Sequence, residues 1–212
     1  NKRSRASVII YCRGRSLLID TSTDLRIQAL RHRLKKLDAV LFTHAHADHL
    51  HGIDELRIFN WLMSGPIPCY GDNKTIERIN LVFNYIFQDN CESTVPRLKT
   101  NIISGPFSLF SQEVVPVEIY HGSLPILGYR LNNFAYITDC SFIPETSKEK
   151  LRDLEILILG ALRFREHPTH FNIEQALEVI SELKPQRCFL THINHDLDYG
   201  ETNARLPAGV EL

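Results

Sequence analysis

The sequence predicts a layered α/β domain, and three observations carry that expectation. Apolar strands alternate with amphipathic helices toward both ends of the chain, short strands crowd its middle, and several strands end in loops bearing histidine or aspartate. A chain of 212 residues is long enough for one large domain with a substantial core. Its apolar share of 43% and charged share of 23% are those of an ordinary soluble globular protein. No apolar run approaches membrane-spanning length and no charged-then-apolar leader is evident, so no membrane partner is expected. Cys12, Cys69, Cys91, Cys140 and Cys188 are scattered without a CxxC pair, which argues against a disulfide framework and fits a reducing cytoplasm. The net charge of −1 gives no global electrostatic case for nucleic acid. The basic start (Lys2, Arg3, Arg5, Arg13, Arg15) and the run Arg31–Lys36 are read as solvated faces.

Each element follows from its local pattern. Strands are expected over 6–12 and 16–20, joined as a hairpin by Arg13-Gly14-Arg15. A helix from about Thr23, with Asp24 near its start, has Leu25, Ile27, Leu30 and Leu34 as its apolar positions. Residues 37–43 form a short buried strand that runs straight into a histidine-rich segment. A helix over 52–63 offers Ile53, Leu56, Phe59, Trp61 and Leu62 for packing, with Trp61 read as core, and Ser64-Gly65-Pro66 stops it. After a strand at 67–70, Asn73 is expected to cap a helix reaching Phe87, with Ile76, Ile79, Leu81, Val82 and Ile86 in the core. Strands follow at 100–104, 107–110, 113–120, 126–131 and 134–137, the last two turning at Asn132-Asn133. Alternation then returns with a helix at 144–151, a strand at 156–159, an amphipathic helix at 173–183 and a final strand at 187–190. No repeat or low-complexity linker intervenes, so a single domain over 1–212 is expected.

The segment Thr43-His44-Ala45-His46-Ala47-Asp48-His49 places four candidate metal ligands within six residues, where a strand gives way to a tight loop. Imidazole and carboxylate are ligands that borderline and hard divalent metals accept, and four of them suggest two ions sharing one loop. His121, Asp139 and His192 each follow a predicted strand, and His170 lies just before a helix in Glu166-His167-Pro168-Thr169-His170. Each alone reads as an ordinary hydrogen-bonded residue. Their shared context of strand, polar ligand and loop favours one convergent site.

This ordered set resembles the metallo-β-lactamase superfamily along nearly the whole chain. The resemblance implies a four-layer αββα fold with a dinuclear hydrolytic centre. It implies His44, His46 and His121 as ligands of one metal, Asp48, His49 and His192 as ligands of the second, and Asp139 as the carboxylate between them. Asp20 would then orient the metal loop from behind. Within the superfamily the chain is similar to the branch of tRNA 3′-processing endonucleases and cyclic-phosphate phosphodiesterases. It has Asp48 and His49 where zinc β-lactamases typically place a cysteine among the second metal's ligands, and Cys140 is read as structural. Pro168-Thr169-His170-Phe171-Asn172 matches the branch's extra histidine that acts on the leaving group, and Thr191-His192-Ile193-Asn194-His195 matches its end motif.

Departures from the branch are equally specific. A cysteine cluster that holds a structural zinc with a histidine matching His195 has no counterpart in this sequence. The sequence opens at Asn1 and ends at Leu212 before an expected last strand, so terminal segments of the natural chain are expected to be missing. His195 is therefore read either as a ligand of that additional zinc or as a support for the main centre. Gly160 stands where the tRNA enzymes carry an acidic residue, and their tRNA-gripping arm has no counterpart.

By that resemblance two divalent ions (zinc, manganese or iron) activate a bridging water and offset phosphoryl charge. Asp48 would orient the water while binding metal, and His170 would act as general acid on the leaving oxygen, since histidine ordinarily titrates near neutral pH. Arg163 is read either as a bidentate phosphate contact, with His167 lining the pocket beside it, or as half of a surface salt bridge. The expected function is hydrolysis of a small or cyclic phosphodiester in the cytoplasm. The alternatives are an RNA-processing nuclease, a thioester or lactone hydrolase, and a non-catalytic metal-binding protein. A small-molecule substrate and a homodimer are the partners expected, with RNA not favoured.

Overall fold

The structure, a computed structural model, describes residues 3–88 and 94–212, so Asn1, Lys2 and Cys91 lie outside the described residues. The chain divides into two compact units, Lys2–Ser104 and Gly105–Leu212.

The first unit contains β1 (Val8–Cys12), β2 (Arg15–Ile19), α1 (Leu25–Arg31), β3 (Ala39–Leu41), α2 (Ala47–Leu50), α3 (Arg57–Met63), β4 (Ile67–Gly71), α4 (Asn73–Val82) and β5 (Leu98–Ile102). Its five strands form one sheet in sequence order. The β1–β2 hairpin is antiparallel, and its turn residues Arg13 and Gly14 both take positive φ (49° and 75°), the handedness a two-residue hairpin needs. From β2 to β5 the strands run parallel, and Leu17-Leu18-Ile19 and Ala39-Val40-Leu41 are the continuous apolar runs that buried parallel strands show. Leu25, Phe42, Leu56, Phe59, Ile76 and Ile79 anchor the core of this unit.

Several expectations in this unit are corrected. The segment 52–63 is a 3₁₀ turn (Ile53–Leu56) followed by α3, and Trp61 is 76% exposed rather than core. Phe59 faces inward, and two residues further along a helix the side chain points to the opposite side. In α1 only Leu25 is buried, while Ile27 and Leu30 are exposed. Asp72, not Asn73, caps α4, its carboxylate accepting from the Thr75 amide at 2.8 Å. The helix ends at Val82, and a 3₁₀ turn spans Asn84–Phe87. The basic runs are also not wholly solvated, since Arg15 and Lys36 pair with the buried Asp38 at 2.8 and 3.1 Å.

The second unit contains β6 (Phe107–Leu109), β7 (Gln112–His121), β8 (Leu124–Leu131), β9 (Phe134–Ile137), α5 (Glu145–Lys148), β10 (Ile156–Gly160), α6 (Ile173–Leu183), β11 (Arg187–Thr191), α7 (Tyr199–Asn203) and β12 (Val210–Glu211). The sheet order is β12-β11-β10-β9-β8-β7-β6. Its β6–β9 half is antiparallel and its β9–β12 half parallel. Both boundaries of β9 and α6 fall where the sequence puts them; α6 starts with a reciprocal cap between Asn172 and Gln175. The strand at 187–190 is not the last, because β12 pairs with it through Cys188 and Phe189. A two-residue strand and the short α7 have too few positions to show a period.

Cys12, Cys69, Cys140 and Cys188 are free thiols. Among the described residues no helix is long and apolar enough to cross a membrane.

Candidate metal centre

Parallel pairing sets the histidine-rich loop in place. Ile19 pairs with Leu41, so β2 and β3 end level, and the Asp20 amide donates to the Leu41 carbonyl at 2.9 Å. Asp20 sits at φ +63° and is fully buried. Its Oδ1 accepts from the Thr43 amide, and its Oδ2 accepts from both Thr43 Oγ1 and His49 Nδ1, all at 2.8 Å. The Thr43 hydroxyl has one proton and spends it on Asp20, so the contact at 3.0 Å to His44 Nδ1 has the imidazole donating. One carboxylate thereby fixes the tautomers of two histidines, His49 directly and His44 through Thr43, and leaves each Nε2 unprotonated. The His44 ring centroid lies 4.5 Å from that of His46 and 4.4 Å from that of His49, and Asp48 Oδ2 is 3.6 Å from His49 Nε2. Burial pushes the Asp20 carboxyl above the ordinary carboxylate range, against the pull of His49 and Thr43.

Gly52 closes this loop. Its amide donates to the Thr21 carbonyl at 2.9 Å, and a Cβ there would stand 2.0 Å from the Ser22 carbonyl oxygen. His51, beside it, is exposed and meets Phe83 edge-on at 5.6 Å.

The second unit repeats the device. Ile137 pairs with Leu159 and Gly160 with Thr191, so β9, β10 and β11 finish along one edge, from which Asp139 and His192 emerge. Both take positive φ (52° and 54°), as Asp20 does, a conformation that costs non-glycine residues roughly 1–3 kcal/mol and clusters at functional sites. His192 Nε2 lies 3.3 Å from Asp139 Oδ1, which also accepts from Thr138 Oγ1 at 2.7 Å. A side chain on Gly160 would come within 3.0 Å of the Asp139 amide nitrogen. His121, the last residue of β7, donates from Nδ1 to the Thr169 carbonyl at 2.8 Å, so its Nε2 is again the unprotonated nitrogen.

His170 closes on the same place. Its ring is 4.6 Å from His121, 5.0 Å from His192 and 5.0 Å from His167, and one donor atom each of His121, Asp139 and His170 lie within 4.8 Å of one another. Burial, with His192, His121 and His167 adding to it against Asp139, lowers its pKa to about 4. The expectation of a ring titrating near neutral pH is thus corrected, because it takes no account of three imidazoles around a partly buried fourth. His167 is likewise held below the usual histidine value by burial, Arg163 and His121.

Arg163 makes no carboxylate pair among the described residues; its Nε donates to the Arg165 carbonyl at 3.3 Å and its Nη2 to the Glu166 carbonyl at 2.9 Å. The surface salt-bridge reading of this residue is therefore not what the structure has. His195 is 89% exposed and lies 3.3 Å from Asp196. Cys140 is buried and its thiol is pushed up to about 12, so it stays protonated at neutral pH.

Sequence reasoning missed Thr43, Thr138 and Thr169. Thr43 stands directly before the first histidine and could have been suspected from that place. Thr169 acts through its backbone carbonyl, which no residue type announces. The donor set suits borderline divalent metals, since it offers unprotonated imidazole nitrogens and carboxylates with no thiolate.

A family model described as "Beta-lactamase superfamily domain" matches residues 15–193. A crystal structure described as a new diphosphatase from the PhnP family superposes with a TM-score of 0.92 at 40% identity, covering 99% of this chain and 81% of that one. Human short-form tRNase Z superposes at 0.76 with 18% identity, over 99% of this chain and 85% of its own, a likeness of fold. An octanoyltransferase of Porphyromonas gingivalis is 37% identical over 199 residues, 92% of this chain. The chain spans only 40% of that protein's length.

Proposed function

The chain belongs to the metallo-β-lactamase superfamily of metal-dependent hydrolases, within its PhnP family, and from that premise we propose that it hydrolyses a small or cyclic phosphodiester. His44, His46 and His121 would hold one divalent ion and Asp48, His49 and His192 a second, with Asp139 shared. Bound there, the ions would lower the pKa of bound water towards about 7 and offset phosphoryl charge. Asp20 keeps His44 and His49 in the tautomer that binds metal, and the Thr169 carbonyl does the same for His121. Asp48 would orient the attacking water.

The observation that carries the phosphodiester reading is His170, an imidazole beside His121 and Asp139 with a role left open once seven ligands are assigned. In the free protein it is neutral at pH 7. An arriving phosphate anion favours the charged ring and raises its proton affinity, so His170 becomes a donor to the leaving oxygen when substrate is present. General acid catalysis contributes on the order of 10²–10⁴-fold where the leaving group is poor. His170→Ala is expected to slow turnover of alkyl phosphodiesters at least about tenfold and of nitrophenyl esters far less, with metal content unchanged. Loss of metal from the variant would make His170 a ligand and end this assignment.

The PhnP-family relative's own described activity, diphosphatase, lies within phosphate-ester and anhydride chemistry and supports the reading. The octanoyltransferase name belongs to a protein most of which lies outside the match, so acyl transfer is not carried over to these residues.

A further inference from the structure

His121 ends β7 at a place where the strand has already left one neighbour behind. β6 covers that edge of β7 only at Gln112–Val114, so the residues beyond depend on other parts of the chain. The segment after Asp139 takes up the role. Tyr120 and Phe142 form an isolated antiparallel bridge, in which the Tyr120 amide donates to the Phe142 carbonyl at 2.9 Å. The Ser141 amide donates to the Tyr120 carbonyl at 2.8 Å. The Ser141 side chain reaches further along β7. Its hydroxyl donates to the Tyr120 carbonyl at 3.1 Å and accepts from the Gly122 amide at 2.9 Å. Those two backbone groups flank His121, so one hydroxyl spans the residue that carries the imidazole. Ser141 stands two residues after Asp139, and it therefore links the backbone at one candidate ligand to the backbone at the other.

A third segment completes the arrangement. The Phe171 amide donates to the Cys140 carbonyl at 2.6 Å, and His121 Nδ1 donates to the Thr169 carbonyl at 2.8 Å. Gly122, at φ +61°, lies so near Thr169 that a Cβ would stand 2.9 Å from its methyl group. Segments 120–122, 139–142 and 169–171 are thus each tied to both of the others. Within this triangle the two supports of His121 divide the work. The Thr169 carbonyl orients the imidazole, and the Ser141 hydroxyl holds the backbone from which it projects. An oriented ring on a loose backbone would still let Nε2 drift from Asp139, and metal sites need their ligand atoms placed to within about 0.5 Å.

We propose that Ser141 is a positioning residue of the metal centre. Its hydroxyl sets where His121 stands relative to Asp139, and so governs the affinity of the ion that His121 would hold. This rests on the assignment of His121 and Asp139 as ligands and is independent of which ester is cleaved. The hydroxyl serves as donor and acceptor at once, which threonine can reproduce and alanine cannot.

The test is zinc affinity, measured against a competing chelator for the wild type, Ser141→Ala, Ser141→Thr, His121→Ala and the double variant, with a thermal melt of each. The wild type is expected to take up two equivalents. Ser141→Ala is expected to weaken one of them about 10–100-fold, as partners behind metal ligands do, and the other no more than about threefold. Ser141→Thr is expected to bring the weakened equivalent back to within about threefold of the wild type. Adding Ser141→Ala to His121→Ala is expected to change the remaining affinity by less than about threefold, because the residue through which Ser141 acts is gone. Equal weakening of both equivalents, weakening of neither, a threonine variant as weak as the alanine one, or the same loss with and without His121 overturns the role of Ser141. Each would mean that the hydroxyl supports the fold rather than the ligand. Should Ser141→Ala melt below the assay temperature, Ser141→Cys, a weaker donor and acceptor in the same place, is judged by the same criteria. Wild-type protein that binds no zinc overturns the metal centre and this inference together. Two tight equivalents that Ser141→Ala leaves untouched overturn this inference alone.

Discussion

Asp20 shows how much of the candidate centre is decided by proton bookkeeping at single atoms. Its two oxygens take three donors, and through Thr43 they determine which nitrogen of His44 is free for a metal. Partners behind metal ligands are commonly worth 10–100-fold in metal affinity. Thr43→Val removes the hydroxyl at almost constant volume, strands the Nδ1–H of His44 and takes one donor from Asp20. Its zinc affinity, titrated against a competing chelator, is expected to fall about 10–100-fold, while Thr43→Ser keeps most of it. Wild-type affinity in the valine variant would break the relay from Asp20 to His44. At this scale the side chains that could bind metal were legible, because imidazole and carboxylate announce themselves by type and by their place after apolar strands. The atoms that aim them were only half legible. Thr43 could be suspected, whereas the Thr169 carbonyl behind His121 and the lowered pKa of His170 exist only once the chain is folded.

At the scale of elements, parallel strands that end in register do the positioning. Asp20 follows β2, His44 follows β3, Asp139 follows β9 and His192 follows β11, each just past the last ladder pair. The sequence reading succeeded where an element is set by its own pattern, as at Phe134–Ile137 and at Ile173–Leu183 with its reciprocal cap. It failed where tertiary packing chose the face. Trp61 looked like core by hydrophobicity, yet Phe59 took the inward position and turned it outward. Gly52 belongs to this scale as well, because it lets the segment after the ligand loop lie against Ser22. A single added methyl would stand 2.0 Å from a backbone oxygen, which backbone movement must relieve. Gly52→Ala is expected to cost about 2 kcal/mol or more by denaturant melts and to lower metal occupancy with it. An unchanged midpoint and full occupancy would show that the loop tolerates the shift.

For the whole molecule, the family is settled by similarity along the chain, while the substrate rests on a few side chains around His170. The superfamily could be named from the order of ligand motifs because those motifs are contiguous or follow strands. The substrate could not, since the side chains around His170 come together only once the chain is folded. The phosphodiesterase reading therefore stands or falls on chemistry rather than on fold. The most direct measurement is a hydrolysis panel on metal-reconstituted protein that sets linear and cyclic phosphodiesters against precursor tRNA, a thioester and a lactone. The account predicts that a small or cyclic phosphodiester is cleaved fastest, by at least about tenfold in kcat/KM (about 1.4 kcal/mol of transition-state binding), and that chelation abolishes the activity. Turnover of the thioester or lactone alone, or of precursor tRNA in clear preference to small diesters, would contradict it.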